Sequence, residues 1–315
     1  MICLIQTALE IACRAMRPAT YRRMLAGFEM PNTPFWKVIT VIKDYLTSLA
    51  LGNTGPKVTP ILANSWGGME LLPDRTYGNG WLKIEDENGK ELRRPLPENG
   101  DPYNEIYMQE GKDAWWGLLR EEWINPAGDE KKEDKKEREK KAGLENTKDS
   151  LLKVQKFHDN LTDYYHPVSY AHYGNDPEQK SFRNVVWEIG PDNNAENIYL
   201  KDNPNLQPPT ALPPGANPDN WQIKEDNGTG VVSLKLPDGE VASNQTMREF
   251  RARIRPPADP GDGTVPHDSA DAEFKSGKFK GIFRQKGYEH GASYHDETAL
   301  RSTLYSIIQI AKEMK

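Results

Sequence analysis

Two short segments near the end of the sequence carry an acid and a histidine that could work as a pair. Asp262 stands between two glycines in GDGTVP, residues 261–266, and His290 lies in GYEHGASY, residues 287–294. A carboxylate can orient a histidine ring and stabilise its charged form, while the other ring nitrogen removes a proton from a nucleophile. The two residue types therefore predict general-base chemistry that activates a serine hydroxyl.

The sequence around Asp262 also fits a simpler interpretation. Two glycines permit a tight loop, and an aspartate in such a loop can accept hydrogen bonds from its own backbone in a surface turn. The order of elements favours the catalytic interpretation, because acid, histidine and a final helix follow one another as they do in α/β-hydrolases. We therefore predict that Asp262 and His290 lie on neighbouring loops within or close to hydrogen-bonding distance.

The nucleophile is the weakest part of this pattern. No Gly-x-Ser-x-Gly motif precedes Asp262 in the sequence. Ser65, in ANSWG, fits the variant Ala-x-Ser-x-Gly, and residues 57–62 could form the strand before it. A nucleophile elbow also needs a helix directly after the serine, whereas two glycines and then Pro73 leave room for little more than one turn. Ser65 is therefore a weak candidate.

Two further histidines lie near the predicted pair. His295 is the alternative base, although its position at the start of a helix is more typical of a surface histidine. His267 follows the acid loop and fits a residue at its rim. The sequence therefore favours His290 as the base.

The other polar clusters in the sequence do not match the pattern of a catalytic or metal site. A metal site is conceivable only at a loosely spaced set, namely His158, His166 and His172 with Asp159 and Asp163. Those histidines lack the closely spaced pair that is typical of zinc sites. Asp101 and Glu105 are interpreted as solvated surface. No metal and no cofactor is predicted.

Several aromatic residues in the middle of the chain allow two interpretations. They are Tyr103, Tyr107, Trp115, Trp116 and Trp123. Such side chains could line a lipid or sugar site, but at helical spacing they more often pack in a core. Core packing is the favoured interpretation.

The elements that must position these residues alternate between helices and strands, which predicts an α/β chain. Apolar spacing predicts helices over residues 1–15, 35–51, 115–123, 147–165 and 296–312. Strands are predicted over residues 80–86, 184–189 and 230–236, and a short strand or an extended entry to a turn over 57–62. A hairpin-type turn is predicted at 87–89 and a loop over 203–220. The last helix has one apolar stripe, interpreted as its core-facing side: Leu300, Leu304, Ile307, Ile308 and Ala311.

Composition excludes several classes of protein. The 41 basic and 47 acidic residues give a net charge of −6, which argues against a general nucleic-acid binder. No run of 18 apolar residues is present, so a membrane-spanning helix is not predicted. Cys3 and Cys13 are too few for a disulfide scaffold or a four-cysteine zinc site.

One segment differs sharply from the rest of the chain. Residues 129–141 read DEKKEDKKEREKK, with both charges mixed at helical spacing. We predict an exposed helix or a mobile insertion over about residues 126–150, within a single domain that covers residues 1–315.

The two loops resemble known lipases. GDGTVP resembles the acid loop of lipases related to lecithin:cholesterol acyltransferase and to the inositol deacylases of glycolipid anchors. GYEHGASY with the following helix resembles the histidine loop of bacterial α/β-hydrolases, some of which are phospholipase effectors of type VI secretion. Residues 19–29 and 62–81 also resemble that bacterial group. The resemblance spans about residues 17–90 and 180–314.

The resemblance implies a partial α/β-hydrolase, the C-terminal portion of the fold, with long loops and a charged insertion. It implies a lipase-like or phospholipase-like ester hydrolase, or a fragment that contributes Asp262 and His290 to a triad. The alternative is an inactive remnant or a lipid- or protein-binding module. Implied partners are a lipid ester or membrane surface, a secretion spike or an immunity protein. The implied location is the cytoplasm of the producing bacterium, with export that needs no cleavable signal.

Overall fold

The computed structural model describes residues 54–109, 114–117, 119–125, 133–191, 212, 217–236 and 249–313. The predicted helices over residues 1–15 and 35–51, both cysteines and most of the predicted loop over 203–220 lie outside the described residues.

Strands and helices alternate along the described chain. The strands are β1 (Leu82–Asp86), β2 (Tyr170–Gly174), β3 (Asp176–Ser181), β4 (Val185–Pro191), β5 (Gln222–Asp226), β6 (Val231–Lys235), β7 (Glu249–Ile254), β8 (Asp259–Gly261) and β9 (Gly281–Gln285). The α-helices are α1 (Gly55–Leu62), α2 (Trp66–Met69), α3 (Glu121–Ile124), α4 (Glu133–Leu161), α5 (His267–Ala270), α6 (Ala272–Ser276) and α7 (Glu297–Glu313). Short helices of other types are Arg75–Tyr77, Tyr103–Met108, Pro218–Asn220 and His290–His295. The α/β class is confirmed.

A five-stranded mixed sheet holds the main core. Its strand order is β1-β4-β7-β6-β5, with β1 and β4 parallel and the other pairs antiparallel. The strands predicted over residues 80–86, 184–189 and 230–236 are therefore confirmed. Aromatic and branched side chains bury one another between this sheet and the helices, among them Trp115, Trp187, Ile189, Leu234 and Phe250. Burial of this apolar surface is the main force that stabilises the sheet.

Two predicted elements are wrong. Residues 57–62 form part of helix α1, because Pro56 occupies the first turn, where a proline's fixed φ suits a helix. Residues 115–123 are not one helix, since the backbone turns at Gly117 and is extended at Arg120 before α3 begins. The Arg120 side chain is buried and forms an ion pair of 3.2 Å with Asp226. That tertiary contact outweighs the helical spacing of the apolar residues.

The predicted helix over residues 147–165 is confirmed in type but differs in extent. Helix α4 begins at Glu133, within the charged segment, and ends at Leu161. Its later half packs on the core through Thr147, Leu151 and Val154. That residues 126–150 form an exposed insertion stays a prediction.

Two small sheets form a second group of elements. β2 and β9 are parallel, with Gly174 opposite Gln285, and β3 and β8 are antiparallel, with Asp176 opposite Gly261. The chain therefore leaves the end of β2, passes through the strands of the large sheet and returns to the same place through β8. This path brings the segment after β8 next to the segment after β9.

The last helix is confirmed, but its apolar stripe does not face the core. The side of α7 toward β2 and β9 carries buried Ala299 and Ser302, and the Gln285 amide donates to the Ser302 hydroxyl. The stripe lies on another side, where its large side chains are exposed: Leu300, Leu304, Ile307 and Ile308. The prediction of a core helix is therefore wrong, because small and polar residues fill the space above these strands.

This orientation of α7 has a measurable consequence. We expect Ile307→Lys, at a side chain that is 57% exposed, to change the free energy of unfolding by no more than about 0.5 kcal/mol. Leu234→Ala in the buried core should cost about 2–5 kcal/mol. Urea unfolding followed by circular dichroism measures both. Equal losses for the two variants would contradict the observed orientation of the helix.

The described part of the chain also bears on membrane insertion. None of its helices is long and apolar enough to cross a bilayer.

Candidate active site

Asp262 and His290 lie at one edge of the small parallel sheet. Strands β2 and β9 end side by side, and the Asn175 amide donates to the Gln285 carbonyl oxygen at 2.7 Å beyond the last paired residues. The acid loop follows β8, and the histidine loop follows β9. Strand β3 follows β2 directly and pairs with β8, so the end of β8 lies beside the end of β2, where β9 also ends, and both loops meet there.

The acid loop is a tight turn that the aspartate itself stabilises. Asp262 Oδ1 accepts hydrogen bonds from the backbone N–H groups of Thr264 (3.1 Å) and Val265 (2.8 Å). Gly263 has φ of +86°, a conformation that side chains with a Cβ rarely adopt. The predicted turn, in which Asp262 accepts hydrogen bonds from its own backbone, is therefore confirmed. These bonds use only Oδ1, so Oδ2 remains for another contact.

That second oxygen meets His290. His290 Nδ1 lies 2.8 Å from Asp262 Oδ2, and the His290 amide donates to the Asp262 carbonyl oxygen at 2.8 Å. The predicted proximity is confirmed. An ionised carboxylate only accepts, so Nδ1 carries the proton and Nε2 is the nitrogen suited to accept one. The pair has the arrangement of an acid–base dyad, and its catalytic role stays a prediction.

The electrostatics of Asp262 favour its ionised form. Burial raises the pKa of Asp262, but the hydrogen bonds from His290, Val265 and Thr264 outweigh burial, so the pKa lies below its ordinary value. A carboxyl whose pKa is lower in the folded state contributes stability above its unfolded pKa. That contribution is lost as the pH falls through the folded pKa. The Asp262 carboxyl is therefore ionised at neutral pH.

Close backbone packing holds the acid loop against β2 and β3. A Cβ on Gly174 would lie 2.6 Å from Asp262 Cβ, and one on Gly261 would clash with the Ser181 hydroxyl and the Val265 carbonyl oxygen. Sequence patterns did not predict a role for Gly174 or Ser181. The only local signal was a glycine at a strand end, which often marks close approach of another backbone.

This packing predicts a specific loss of stability. We expect Gly261→Ala to lower the free energy of unfolding by about 1–3 kcal/mol, because the carbonyl oxygen it would meet cannot rotate away. Gly67→Ala is the matched control, since no heavy atom lies within 4 Å of its added Cβ. Chemical denaturation measures both variants. A Gly261→Ala protein as stable as the control would show that the loop can shift freely.

The local structure at Ser65 is not that of a nucleophile elbow. Ser65 precedes the four-residue helix α2, but helix α1 lies before it instead of a strand. Its φ of −112° and ψ of 110° are ordinary extended values, whereas an elbow is a sharp, strained turn between a strand and a helix. Helix α2 contacts α4, an element outside the two loops of the dyad.

The other two candidate histidines have different surroundings from His290. His295 is exposed at the end of the helix His290–His295, and His267 Nδ1 lies 3.4 Å from the Pro260 carbonyl oxygen. Their roles as alternative base and rim residue stay predictions.

The three widely spaced histidines have separate contacts. His158 bonds to the Tyr103 hydroxyl and the Glu70 carbonyl oxygen, and His172 contacts Thr303 at 3.2 Å. His166 Nδ1 accepts a hydrogen bond from the Val168 amide at 3.1 Å. Within the described ranges, no group of three or more His, Cys, Asp or Glu residues is arranged to hold a metal ion.

The acidic loop at residues 101–105 has a structural role. The Glu105 carboxylate accepts hydrogen bonds from the amides of Glu98 and Asn99, at 2.6 and 3.0 Å. Asp101 pairs with Arg75 at 3.4 Å. These carboxylates order a loop, which the interpretation as solvated surface did not anticipate.

Comparison with known proteins gives a structural relationship. No family model matches the chain, and no curated protein matches it. The chain is similar to a protein in a solved structure described as the crystal structure of the Tle4–Tli4 complex, with a TM-score of 0.56 and 26% sequence identity. The match covers 83% of this chain and 49% of the other, so the chain spans about half the length of the protein that it matches.

Proposed function

We propose that the chain contributes the Asp–His part of a lipid ester hydrolase of the phospholipase-like effector type. The contact between Asp262 and His290 carries this proposal. The Asp262 carboxylate faces His290 Nδ1, and the pair lies at the edge of the sheet where the parallel strands β2 and β9 end. Both features fit the acid and the histidine of a hydrolase triad.

In this reaction His290 acts as base and then as acid. His290 Nε2 takes the proton of a serine hydroxyl as its oxygen attacks the ester carbonyl, and Asp262 stabilises the imidazolium that results. The proton then passes to the departing alcohol oxygen, and an acyl-enzyme remains. A water molecule, deprotonated by the same nitrogen, attacks the acyl group; as the acyl–serine bond breaks, that nitrogen returns the proton to the serine oxygen and the carboxylic acid is released. The motif Gly-x-Ser-x-Gly is missing from residues 1–315, so we infer that the serine comes from a segment outside this sequence.

The structural neighbour supports this class of function. The chain is similar to a protein in the solved structure of the Tle4–Tli4 complex, and both loops resemble those of bacterial phospholipase effectors of type VI secretion. By the same comparison we infer a protein partner of the Tli4 kind, an immunity protein. The finer relation to the lecithin:cholesterol acyltransferase type stays a prediction from GDGTVP.

A second candidate function is a binding module that keeps the hydrolase architecture without its chemistry. The missing nucleophile motif favours this candidate, because a dyad without a nucleophile has nothing to activate.

One experiment separates the two candidates. The chain is expressed alone and together with the half of the Tle4 chain that lies outside the match. Each preparation is assayed for hydrolysis of a short-chain activated ester and for labelling by a serine-directed fluorophosphonate. Turnover or labelling in either preparation that is lost in His290→Gln supports the hydrolase. A folded chain without turnover or labelling in both preparations supports the binding module.

A further inference from the structure

One edge of the small parallel sheet is open within the part of the chain that the structure describes. Strand β2 pairs with β9 on one side, and no described strand pairs with its other side. The Ser169 carbonyl oxygen and the Asn175 amide both bond to the β9 side, at 2.8 and 2.7 Å. Because the backbone groups of a strand point alternately to its two neighbours, the amides of Tyr170 and His172 point to the open side. An open edge of this kind is a template for another strand.

The exposed apolar stripe of α7 lies on the side of the helix next to this open edge. Successive residues of an α-helix are turned by about 100°, so Ser302, Thr303 and Ile307 follow one another round the helix. Ser302 lies above β9, where the Gln285 amide donates to its hydroxyl, and Thr303 lies above β2, 3.2 Å from His172 Nε2. The stripe therefore begins beyond β2, over the position that the next strand of the sheet would occupy.

Large apolar side chains form the exposed surface of the stripe. Leu300, Leu304, Ile307 and Ile308 are each between 44% and 59% exposed. A contiguous exposed apolar patch marks a contact site, and the strands of parallel sheets are normally covered on both faces. Here the patch adjoins the open strand edge, so one occupant has to supply both hydrogen-bond acceptors and apolar side chains. An apolar strand meets both needs, since its backbone pairs with β2 and its side chains lie under α7.

The end of β2 lies beside the dyad. An added Cβ on Gly174, the last residue of β2, would lie 2.6 Å from Asp262 Cβ. A strand that extends the sheet in parallel with β2 would have its carboxyl end at this same edge. In a nucleophile elbow the serine directly follows such a strand. The open edge is therefore suited to bring a serine towards His290.

The open edge and the dyad together favour one occupant. A lipid surface would cover the stripe, but acyl chains offer no acceptor to the amides of β2. A second copy would offer a strand edge, but residues 1–315 contain no Gly-x-Ser-x-Gly motif, so it would bring no elbow. The protein that the chain matches has about half of its length outside the match, since 49% of it is covered. A segment of that kind can provide both a strand and a nucleophile.

We propose that the open edge of β2 and the apolar stripe of α7 form one docking surface for a polypeptide segment outside residues 1–315. The segment adds an apolar strand parallel to β2 and carries the nucleophilic serine. The inference rests on the proposed function for the identity of this segment, and it adds the place and manner of docking. It also explains why the apolar side of α7 is not buried against β2 and β9.

Copurification tests the docking surface apart from catalysis. The full chain carries an affinity tag and is expressed with the half of the matched chain that lies outside the match. We expect the two to copurify, and Ile307→Lys to reduce the copurified amount at least about tenfold, because a charge buried without a partner opposes association. Leu152→Lys is the matched control, since Leu152 is 50% exposed on α4 and lies outside the stripe. Its copurified amount should stay within about twofold of the unsubstituted chain.

A second pair of variants tests the strand edge. His172→Pro removes the amide that points to the open side and should also reduce the copurified amount at least about tenfold. His172→Ala removes the contact with Thr303 but keeps the amide, and should copurify normally. Hydrogen exchange of the Tyr170 and His172 amides should slow at least about tenfold in the complex relative to the chain alone. If His172→Pro does not fold, this exchange measurement decides alone.

Three results would overturn the proposal. The first is the absence of a complex, or a complex that Ile307→Lys does not weaken or in which the two β2 amides exchange as in the chain alone. The second is a chain that sediments by itself as a dimer and becomes monomeric in Ile307→Lys, which assigns the surface to a second copy. The third is binding to phosphatidylcholine vesicles that Ile307→Lys abolishes, which assigns the surface to lipid.

The outcome for the docking surface is separate from the outcome for the proposed function. A complex that responds to these variants but shows neither hydrolysis nor labelling supports the docking surface and contradicts the hydrolase. Hydrolysis that depends on His290, in a complex that Ile307→Lys leaves intact, supports the hydrolase and contradicts the docking surface.

Discussion

His290→Gln and Asp262→Asn should each reduce ester hydrolysis by about 10³–10⁴-fold in the preparation that turns over. The first removes the nitrogen that accepts the proton of the nucleophile. The second keeps the shape of the acid loop but removes the charge that faces His290 Nδ1 at 2.8 Å. Steady-state kinetics with a short-chain activated ester measures the loss, which should appear in kcat with little change in KM.

Two control variants give this prediction its specificity. His295→Gln removes the alternative base, and Ser65→Ala removes the weak candidate nucleophile. The ring that meets Asp262 Oδ2 is that of His290, so both variants should retain turnover within a few-fold. Activity that survives His290→Gln and disappears in His295→Gln would assign the base to His295. Loss of activity in Ser65→Ala would make Ser65 the nucleophile.

Trp115→Ala should have the largest effect on stability, a loss of about 3–5 kcal/mol in the free energy of unfolding. Trp115 is 1% exposed, its indole N–H donates to the Pro218 carbonyl oxygen at 2.7 Å, and its ring meets Trp187 edge-on. Truncation leaves a cavity in the core and an unpaired carbonyl oxygen. Guanidinium unfolding monitored by circular dichroism measures the loss.

Trp66→Ala is the matched control for this prediction. Trp66 is 52% exposed, and its described ring contact is with the Lys153 ammonium, 5.0 Å from the ring centroid. An exposed cation–π contact contributes about 0.5–1 kcal/mol, so the variant should be almost as stable as the unsubstituted chain. Equal losses at the two tryptophans would contradict the placement of Trp115 in the core. A site that binds lipid through Trp115 would instead show weakened binding without loss of stability.

The aromatic residues show that apolar spacing in the sequence predicted burial correctly but predicted the helix wrongly. Tyr103, Tyr107, Trp115 and Trp116 are buried in one cluster, so the prediction of core packing is confirmed for these four. The helix predicted around two of them is wrong. Their hydrophobicity determined that they are buried, but the ion pair of Arg120 with a distant strand determined the path of the backbone.

The sequence by itself determined the features that depend on a few neighbouring residues. The acid loop is built from Gly263 and the two amides that follow it. The last helix comes from apolar residues at helical spacing in a run without Gly or Pro. The proximity of Asp262 to His290 was also predictable, since acid, histidine and last helix follow one another in the order seen in α/β-hydrolases.

Only the tertiary structure decided which surfaces meet. The apolar stripe of α7 faces away from β2 and β9, Gly174 lies against Asp262, and the Tyr288 side chain is buried. These arrangements depend on contacts between residues far apart in the chain. Hydrophobic spacing shows which side of a helix is apolar. It does not show which side of the helix packs against the rest of the protein. The physical reason is that burial is a property of two surfaces, and a local pattern describes only one.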